Sequence, residues 1–423
     1  MELTTKTLCV PKIKIIERKI KIMKVNQIYS LVNDINHQLW GMDDLDVHDL
    51  SGIIALGDIV LSSTDNMDKF LNKLVDRIGK TVVRTLDVEL DFPSLFMDSF
   101  SFGATLQKIT VNPFEAIENA EWKVGENGFT PTFADIHKCE IVVTYFTGVS
   151  TAKFQRTIPD GLFESAFTSE TAMGNFIDAI IKAMTDSMVM SINNMSRMAV
   201  NNFIAEKIKL NHGVINLLTE YNDILGAGNE ITVAQAMHDK EFARFCSQEI
   251  RNYVKYLSQP STLYNTGVAD GNGGTTKVVR ATTRDNMHIF MLSNLVSLFD
   301  AYLLSDSYKD LFGLPYFNEV GYWQSNLDSQ GNINKFETNS SIAITPSSED
   351  GKESKTSVEQ SGIVCVLADR QAIAVSINKE RSGAFRNDID AYTNVSMTFS
   401  KNWLNDLSEN GIIFIIAEDS DGE

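Results

Sequence analysis

Two glycine-containing segments have residue types that could bind a phosphate. Gly79-Lys80-Thr81 matches the end of a P-loop, in which backbone amides and a lysine hold the phosphates. Leu74 occupies the position at which that loop requires its first glycine, so the motif is incomplete. The glycine-rich stretch 265–274 contains no lysine, and no strand directly precedes it, which is typical of a surface turn. We therefore predict no nucleotide or cofactor site in either segment.

Residues 326–337 partly match a calcium-binding loop. Three positions of such a loop are correctly occupied, by Asp328, Gly331 and Glu337. Two further ligand positions are neutral amides where carboxylates are preferred, and the flanking sequence is not helical in pattern. We assign no metal site, and whether this loop binds a cation stays open.

Nucleophilic catalysis finds little support in the spacing of histidine, serine and cysteine. The six histidines form no HxxxH pair, and no serine lies in a GxSxG motif. The four cysteines have no CxxC spacing and fit free thiols in a reducing cytoplasm: Cys9, Cys139, Cys246 and Cys365. Cys246 falls in a helical pattern and fits a helix core better than a nucleophile. We therefore predict no catalytic residue and a protein that is not an enzyme.

The charge balance of the chain limits its partners. The 423 residues include 55 acids and 37 bases, for a net charge of −18, whereas a protein that grips a phosphate backbone presents clustered bases. The wall of a nucleic-acid container must not hold the polymer tightly, so an acidic lining suits it, although solubility explains the acidity equally well. No window offers the roughly 18 consecutive apolar residues that a membrane span needs.

The helical and β patterns alternate along the chain, which predicts an α+β fold. Residues 24–40 and 67–78 have helical periodicity, and the second helix should end at Gly79. Residues 84–154 are strand-like and predict a long two-stranded excursion. An amphipathic helix follows from Gly174 to about Lys207, with methionines that fill gaps on its apolar stripe. The other expected elements are helices at 212–225 and 234–257, a strand and helix at 287–304, and four closing strands within 362–418.

Three of these segments resemble the major capsid proteins of small tailed phages of the phi-29 group. They are Leu74–Leu86, Thr144–Phe167 and Gly174–Ile208, with weaker agreement in VLADRQAIAVSI and YTNVSMTFSKNWL. The resemblance covers about residues 23–418 and implies an HK-97-type capsid fold. It implies an N-terminal arm at 23–83, an extended β loop at 84–157, a peripheral domain from 158–210 with 378–403, and an axial domain from 211–377 with 404–423.

Residues 1–22 form a basic extension before the resemblance begins. The first 24 residues contain seven lysines and arginines, against two glutamates. Three interpretations stay open: an upstream-start artefact, an interior arm that touches the genome, and a strand added to the sheet of a neighbouring subunit.

By resemblance, the expected function is that of a major capsid protein. It would self-assemble, as pentamers and hexamers, into an icosahedral or prolate shell around a double-stranded DNA genome that it binds without sequence specificity. The implied partners are a scaffolding protein and a portal protein, with no membrane, and the implied location is the virion, after assembly in the bacterial cytoplasm. The alternatives are an encapsulin-like compartment shell and a soluble α+β enzyme.

The candidate residues for self-association lie in two loops. The strand-rich excursion holds more aromatic side chains than a free hairpin can bury, so they need a neighbouring surface; a sheet packed on its own domain is the alternative. The loop between the second and third closing strands adds two charged residues. The predicted set is Phe100, Phe102, Trp122, Phe129, Arg381 and Arg386.

Overall fold

The structure is a computed structural model. It describes residues 25–41, 47–85, 92–96, 106–111, 141–146, 149–269, 275–302, 317–324, 339–345, 357–387 and 389–418. The described helices are α1 Val25–Trp40, α2 Leu50–Leu61, α3 Thr64–Thr85, α4 Asp160–Ala166, α5 Glu170–Lys209, α6 Leu217–Leu225, α7 Val233–Ala236, α8 Lys240–Leu257 and α9 Ser293–Tyr302. The strands are β1 Leu106–Val111, β2 Ile141–Phe146, β3 Val149–Pro159, β4 Val214–Asn216, β5 Val268–Ala269, β6 Thr275–Thr276, β7 Met287–Leu292, β8 Asn318–Val320, β9 Ile342–Ile344, β10 Val358–Gln360, β11 Ile363–Asp369, β12 Ile373–Asn387, β13 Tyr392–Asn405 and β14 Gly411–Ile415.

The chain divides into two compact units. The first unit contains residues 1–85, 153–187 and 381–397, so far as they are described, and the second contains 86–152, 188–380 and 398–423. In the first unit, α1 and α2 pack against α3, and buried phenylalanines form its centre. Four rings have centroid separations of 5.2–6.2 Å: Phe70, Phe163, Phe167 and Phe176. Gly57 lets α2 approach the Phe167 side chain, since a Cβ there would lie 2.9 Å from it.

A five-stranded sheet of order β4-β14-β11-β7-β8 organises the second unit. β11 runs antiparallel to β7 and to β14, whereas the short outer strands β4 and β8 are parallel to their neighbours. One face packs against α6, α8 and α9, and the other against the part of α5 that begins at Met195. Burial on both faces explains why MHIFML and IVCVLAD are continuous apolar runs.

The α+β class is confirmed by these elements, and so are the main secondary-structure predictions. α5 occupies the predicted long helix and, with 40 residues, is about 60 Å long at 1.5 Å per residue. β7 followed by α9 lies where a strand and helix were predicted, and β11 to β14 are the four closing strands. A three-stranded sheet has β13 between β12 and β3. Among the described helices, none is both long and apolar enough to cross a membrane. The finer division into arm, extended loop, peripheral domain and axial domain stays a prediction.

Three predicted helix boundaries are wrong. α3 does not end at Gly79 but continues to Thr85, because an interior glycine costs only about 1 kcal/mol, which the buried face of a 22-residue helix offsets. The predicted helix 212–225 begins only at Leu217, since Val214–Asn216 pair with β14 as a strand. The predicted helix 234–257 is interrupted before Lys240, where the Asp239 carboxylate accepts from the Glu241 amide and starts a new helix.

Gly362 fixes the turn before β11, and we expect that an alanine there destabilises the second unit. Its φ is +78°, and a Cβ would overlap the backbone carbonyl of Ile416. The left-handed conformation and the overlap together should lower the free energy of unfolding by about 3 kcal/mol for Gly362→Ala. Gly228→Ala is the control, because its φ of +91° imposes the same strain with no atom within 4 Å. Urea unfolding of both variants measures the difference, and equal losses would contradict the predicted overlap.

His288 should make the stability of the second unit depend on pH. Burial and the nearby Arg370 charge lower the pKa of His288 to about 4. In the unfolded chain the histidine binds a proton below about pH 6.5, whereas in the folded chain it stays neutral down to about pH 4. Stability is therefore lost as the pH falls from about 6.5 to about 4. The expected loss between pH 7 and pH 5 is about 2 kcal/mol from this residue. Urea unfolding should show this part of the pH dependence in the wild type and not in His288→Gln.

Candidate interaction surfaces

Strands β1 and β2 form an antiparallel ribbon with an exposed apolar face. The register places Ile109 opposite Val143 and Val111 opposite Ile141, with Tyr145 next along the same face. These five side chains are 40–61% exposed. Directly opposed side chains lie on one face of a sheet, so they form a continuous stripe. We name this stripe the ribbon face.

The opposite face of the ribbon carries polar side chains that contact the rest of the second unit. The Lys108 ammonium forms ion pairs with the carboxylates of Asp406 and Glu409. The Thr110 hydroxyl accepts a hydrogen bond of 3.1 Å from the Arg280 guanidinium, which also lies 3.1 Å from Glu409 Oε1. Strand alternation therefore turns Ile109 and Val111 outward while Lys108 and Thr110 face inward.

The end of β12 and the turn that follows it form a second exposed apolar surface, in the first unit. Phe385 is 72% exposed and Ile389 is 93% exposed. The surrounding backbone is firmly held: the Ala384 amide donates to Asn72 Oδ1 at 2.7 Å, and the Asp160 amide donates to the Ala391 carbonyl at 3.1 Å. This turn presents two large apolar side chains on an ordered support.

The two candidate arginines occupy different environments. Arg381 is exposed on β12. Arg386 is nearly buried and holds the Asp160 carboxylate with two bonds, of 2.5 and 3.2 Å. The four aromatic candidates (Phe100, Phe102, Trp122 and Phe129) lie outside the described residues, so their part in self-association stays a prediction.

Sequence reasoning missed the ribbon face, although its signal was present. In LQKITV and IVVTYF, every second residue from Ile109 and from Ile141 is β-branched or aromatic. The prediction used the period-2 pattern of the excursion to expect strands, and it chose the contact residues from the aromatic content. Nor could a pattern alone say which of the two faces of each strand would be covered.

The residues that could do chemistry lie in ordinary structural positions where the structure describes them. Gly79-Lys80-Thr81 belongs to the continuous helix α3 and not to a loop. Cys246 and Cys365 are buried free thiols, and burial raises the pKa of both, which makes them poor nucleophiles. In the described ranges, no three His, Cys, Asp or Glu side chains come together as metal ligands. The calcium-like segment 326–337 falls outside those ranges.

Comparison with known proteins relates the chain to phage capsids. Over 209 residues it is 26% identical to the major capsid protein of Streptococcus phage Cp-1, a match that spans 48% of the chain and 52% of the relative, about half its length. The match with the capsid structure of Staphylococcus phage Andhra covers 77% of this chain and 83% of the Andhra chain, with 13% identity and a TM-score of 0.49. The match with the structure of head fiber and inner core protein gp22 of native bacteriophage P68 covers 77% of this chain and 84% of the P68 chain. The identity is 10% and the TM-score is again 0.49.

The chain also matches a family of sequences over most of its length. Residues 35–415 match the profile of the Phi29-like phage major capsid protein family, and this range includes every described strand and eight of the nine described helices in full. The family expected from the resemblance agrees with this match. The chain belongs to the Phi29-like phage major capsid protein family.

Proposed function

We propose that the chain self-assembles into the icosahedral or prolate shell that encloses a double-stranded DNA phage genome. Membership of a major capsid protein family supports this role. The single observation that carries it is the ribbon face, a row of five large apolar side chains left exposed in one subunit. Contiguous exposed apolar side chains of this kind are typical of protein–protein contact sites.

The occupant of the ribbon face is a second copy of the same chain. Fully burying one aliphatic or aromatic side chain contributes roughly 1.5–3 kcal/mol, so one ribbon contact is modest. A closed shell repeats that contact around every capsomer, and many modest contacts together hold firmly while each can still dissociate and correct an error. The exposed pair Phe385 and Ile389 offers another such contact.

The remaining partners follow from the shell role. Pentamers and hexamers of the chain, a scaffolding protein and a portal protein would complete the assembly in the host cytoplasm, and the finished protein would lie in the virion. The net charge of −18 suits a wall that confines DNA without holding it in a sequence-specific way. The role is structural and needs no catalytic residue.

Electron microscopy of the purified chain, alone and with its scaffolding protein, tests the proposal. Closed shells, tubes or capsomer rings are the expected result. A protein that stays monomeric under both conditions, at concentrations well above those at which shell proteins assemble, would contradict self-assembly.

The ribbon face gives a sharper prediction. Ile109 and Val143 are directly opposed, so Ile109→Thr/Val143→Thr removes apolar surface while retaining β-branched residues. We expect a folded subunit with an unchanged melting temperature that needs at least about ten times the wild-type concentration to assemble, a factor that about 1.4 kcal/mol produces. Light scattering and electron microscopy measure this threshold.

Gln107→Thr is the matched control for that variant. Gln107 is an exposed polar residue on the same strand and the same face, so it receives the same new side chain without loss of apolar surface. Its assembly threshold should stay at the wild-type value. Normal shells from the double variant would remove the ribbon face from the interface.

The two arginines should behave differently when each is replaced by methionine. Arg386→Met leaves the Asp160 carboxylate largely buried without its partner and should cost about 3–5 kcal/mol in the free energy of unfolding. Arg381→Met, at an exposed position, should change it by less than about 0.5 kcal/mol. Urea unfolding of the unassembled subunit measures both. A stable Arg386→Met subunit that fails to assemble would instead give Arg386 the interface role first predicted for it.

A further inference from the structure

The turn that joins β13 to β14 contains two buried carboxylates. Asp406 and Glu409 are each 4% exposed, although they lie in a connecting turn. The turn is fixed to the second unit: the Asp406 amide donates to the Ala372 carbonyl at 2.8 Å, and the Thr266 amide donates to the Leu407 carbonyl at 3.0 Å. Asp406 Oδ1 also accepts from the Ser408 amide at 2.9 Å, which holds its carboxylate in place.

Three basic side chains from different elements surround these carboxylates, and burial lowers the pKa of one of them, Lys207, to about 7. Lys108 comes from the ribbon and pairs with both, and Arg280 lies 3.1 Å from Glu409 Oε1. Lys207, at the end of α5, interacts with the Asp406 charge while its ammonium donates to the Tyr264 carbonyl at 3.1 Å. Asp369 is a further negative charge near Glu409 and accepts from the Thr282 hydroxyl at 2.7 Å.

The ribbon supplies one of these cations although it is not part of a larger sheet. β1 pairs with β2 alone in the described strands, and a two-stranded ribbon is marginally stable by itself. Its apolar side chains on the ribbon face are turned to solvent, so they do not fix its position in the single subunit. The contacts of Lys108 and Thr110 are on the other face, where they join the ribbon to the turn and to Arg280.

We propose that Lys108 is a positioning residue: its ion pairs with Asp406 and Glu409 form a clasp that holds the ribbon against the 406–410 turn and thereby presents the ribbon face to a neighbouring subunit. The clasp is a property of the single chain. Its consequence for assembly rests on the proposed function. Detaching the ribbon would remove one cation from two buried carboxylates and so weaken their charge compensation, which is unfavourable. The ion pairs of Lys108 therefore help to set the position of the ribbon.

Hydrogen exchange of the unassembled subunit tests the clasp directly. In Lys108→Met, backbone amides of 106–111 and 141–146 should exchange at least about ten times faster than in the wild type, because the ribbon opens more often. Exchange in β7 and β11 should not change. Lys108→Arg retains the charge and should exchange within about threefold of the wild type. Lys69→Met is the control, since Lys69 forms an exposed pair with Asp65 on α3.

A double-mutant cycle separates a charge clasp from a general loss of packing. Asp406→Asn removes the carboxylate that Lys108 pairs with, so combining it with Lys108→Met should accelerate exchange by less than the product of the two single effects. Fully multiplicative effects would overturn the clasp, and so would ribbon exchange within twofold of the wild type in Lys108→Met.

Assembly of the same variants tests the presenting role. Lys108→Met should raise the concentration needed for shells, and Lys108→Arg should not. If the ribbon of Lys108→Met exchanges faster but shells form at the wild-type concentration, the presenting role is wrong. The clasp itself would still be supported by the exchange data. A wild-type subunit that never assembles would count against the proposed function instead, because the exchange experiment uses single subunits and decides the clasp on its own.

Discussion

The burial of one sheet on both of its faces is the constraint on which the second unit depends. β7, β11 and β14 have no solvent-facing side, so one face must accept α6, α8 and α9, and the other must accept α5. The centre of the contact between the sheet and α5 has no room for a larger side chain. Gly411 lies so close to the Phe203 ring of α5 that a single added methyl group would overlap it. Once these layers are closed, the turn after β13 and the groups around it are held in fixed positions.

The fixed turn explains how a chain can present an apolar surface without hiding it in its own core. A ribbon that packed through its apolar side chains would bury them in its own subunit. This ribbon contacts the rest of its unit through Lys108 and Thr110, and the five side chains of the ribbon face stay outside. The first unit shows a comparable arrangement, in which backbone hydrogen bonds and the Arg386–Asp160 pair hold a turn whose Phe385 and Ile389 side chains are exposed.

Much of this fold could be predicted from the sequence, because strong local patterns coincide with tertiary burial. The continuous apolar runs of β7 and β11 indicate strands buried on both faces, and the long amphipathic pattern of α5 indicates a helix with one buried side. The errors occur where a distant contact decides. Val214–Asn216 form a strand only because β14 lies beside them, and Gly79 stays helical because α3 buries one face.

Arg381 and Arg386 look equivalent in the sequence, and the distinction between them is the position of Asp160, 226 residues away from Arg386. The ribbon face was missed for the same reason, since only its contacts with residues 280 and 406–409 show which side is free.

The sheet of the second unit ends on both sides in very short strands. β4 and β8 have three residues each, whereas β7 and β11 between them have six and seven. An unpaired strand edge invites another chain to extend the sheet by backbone hydrogen bonding, and a short edge offers few such bonds. A protein produced in many copies, at high local concentration, is especially exposed to that kind of runaway polymerisation. In the assembly proposed above, short terminal strands would leave side-chain surfaces as the main means of association. Such surfaces specify an angle between subunits and allow a closed shell, which an open sheet edge does not.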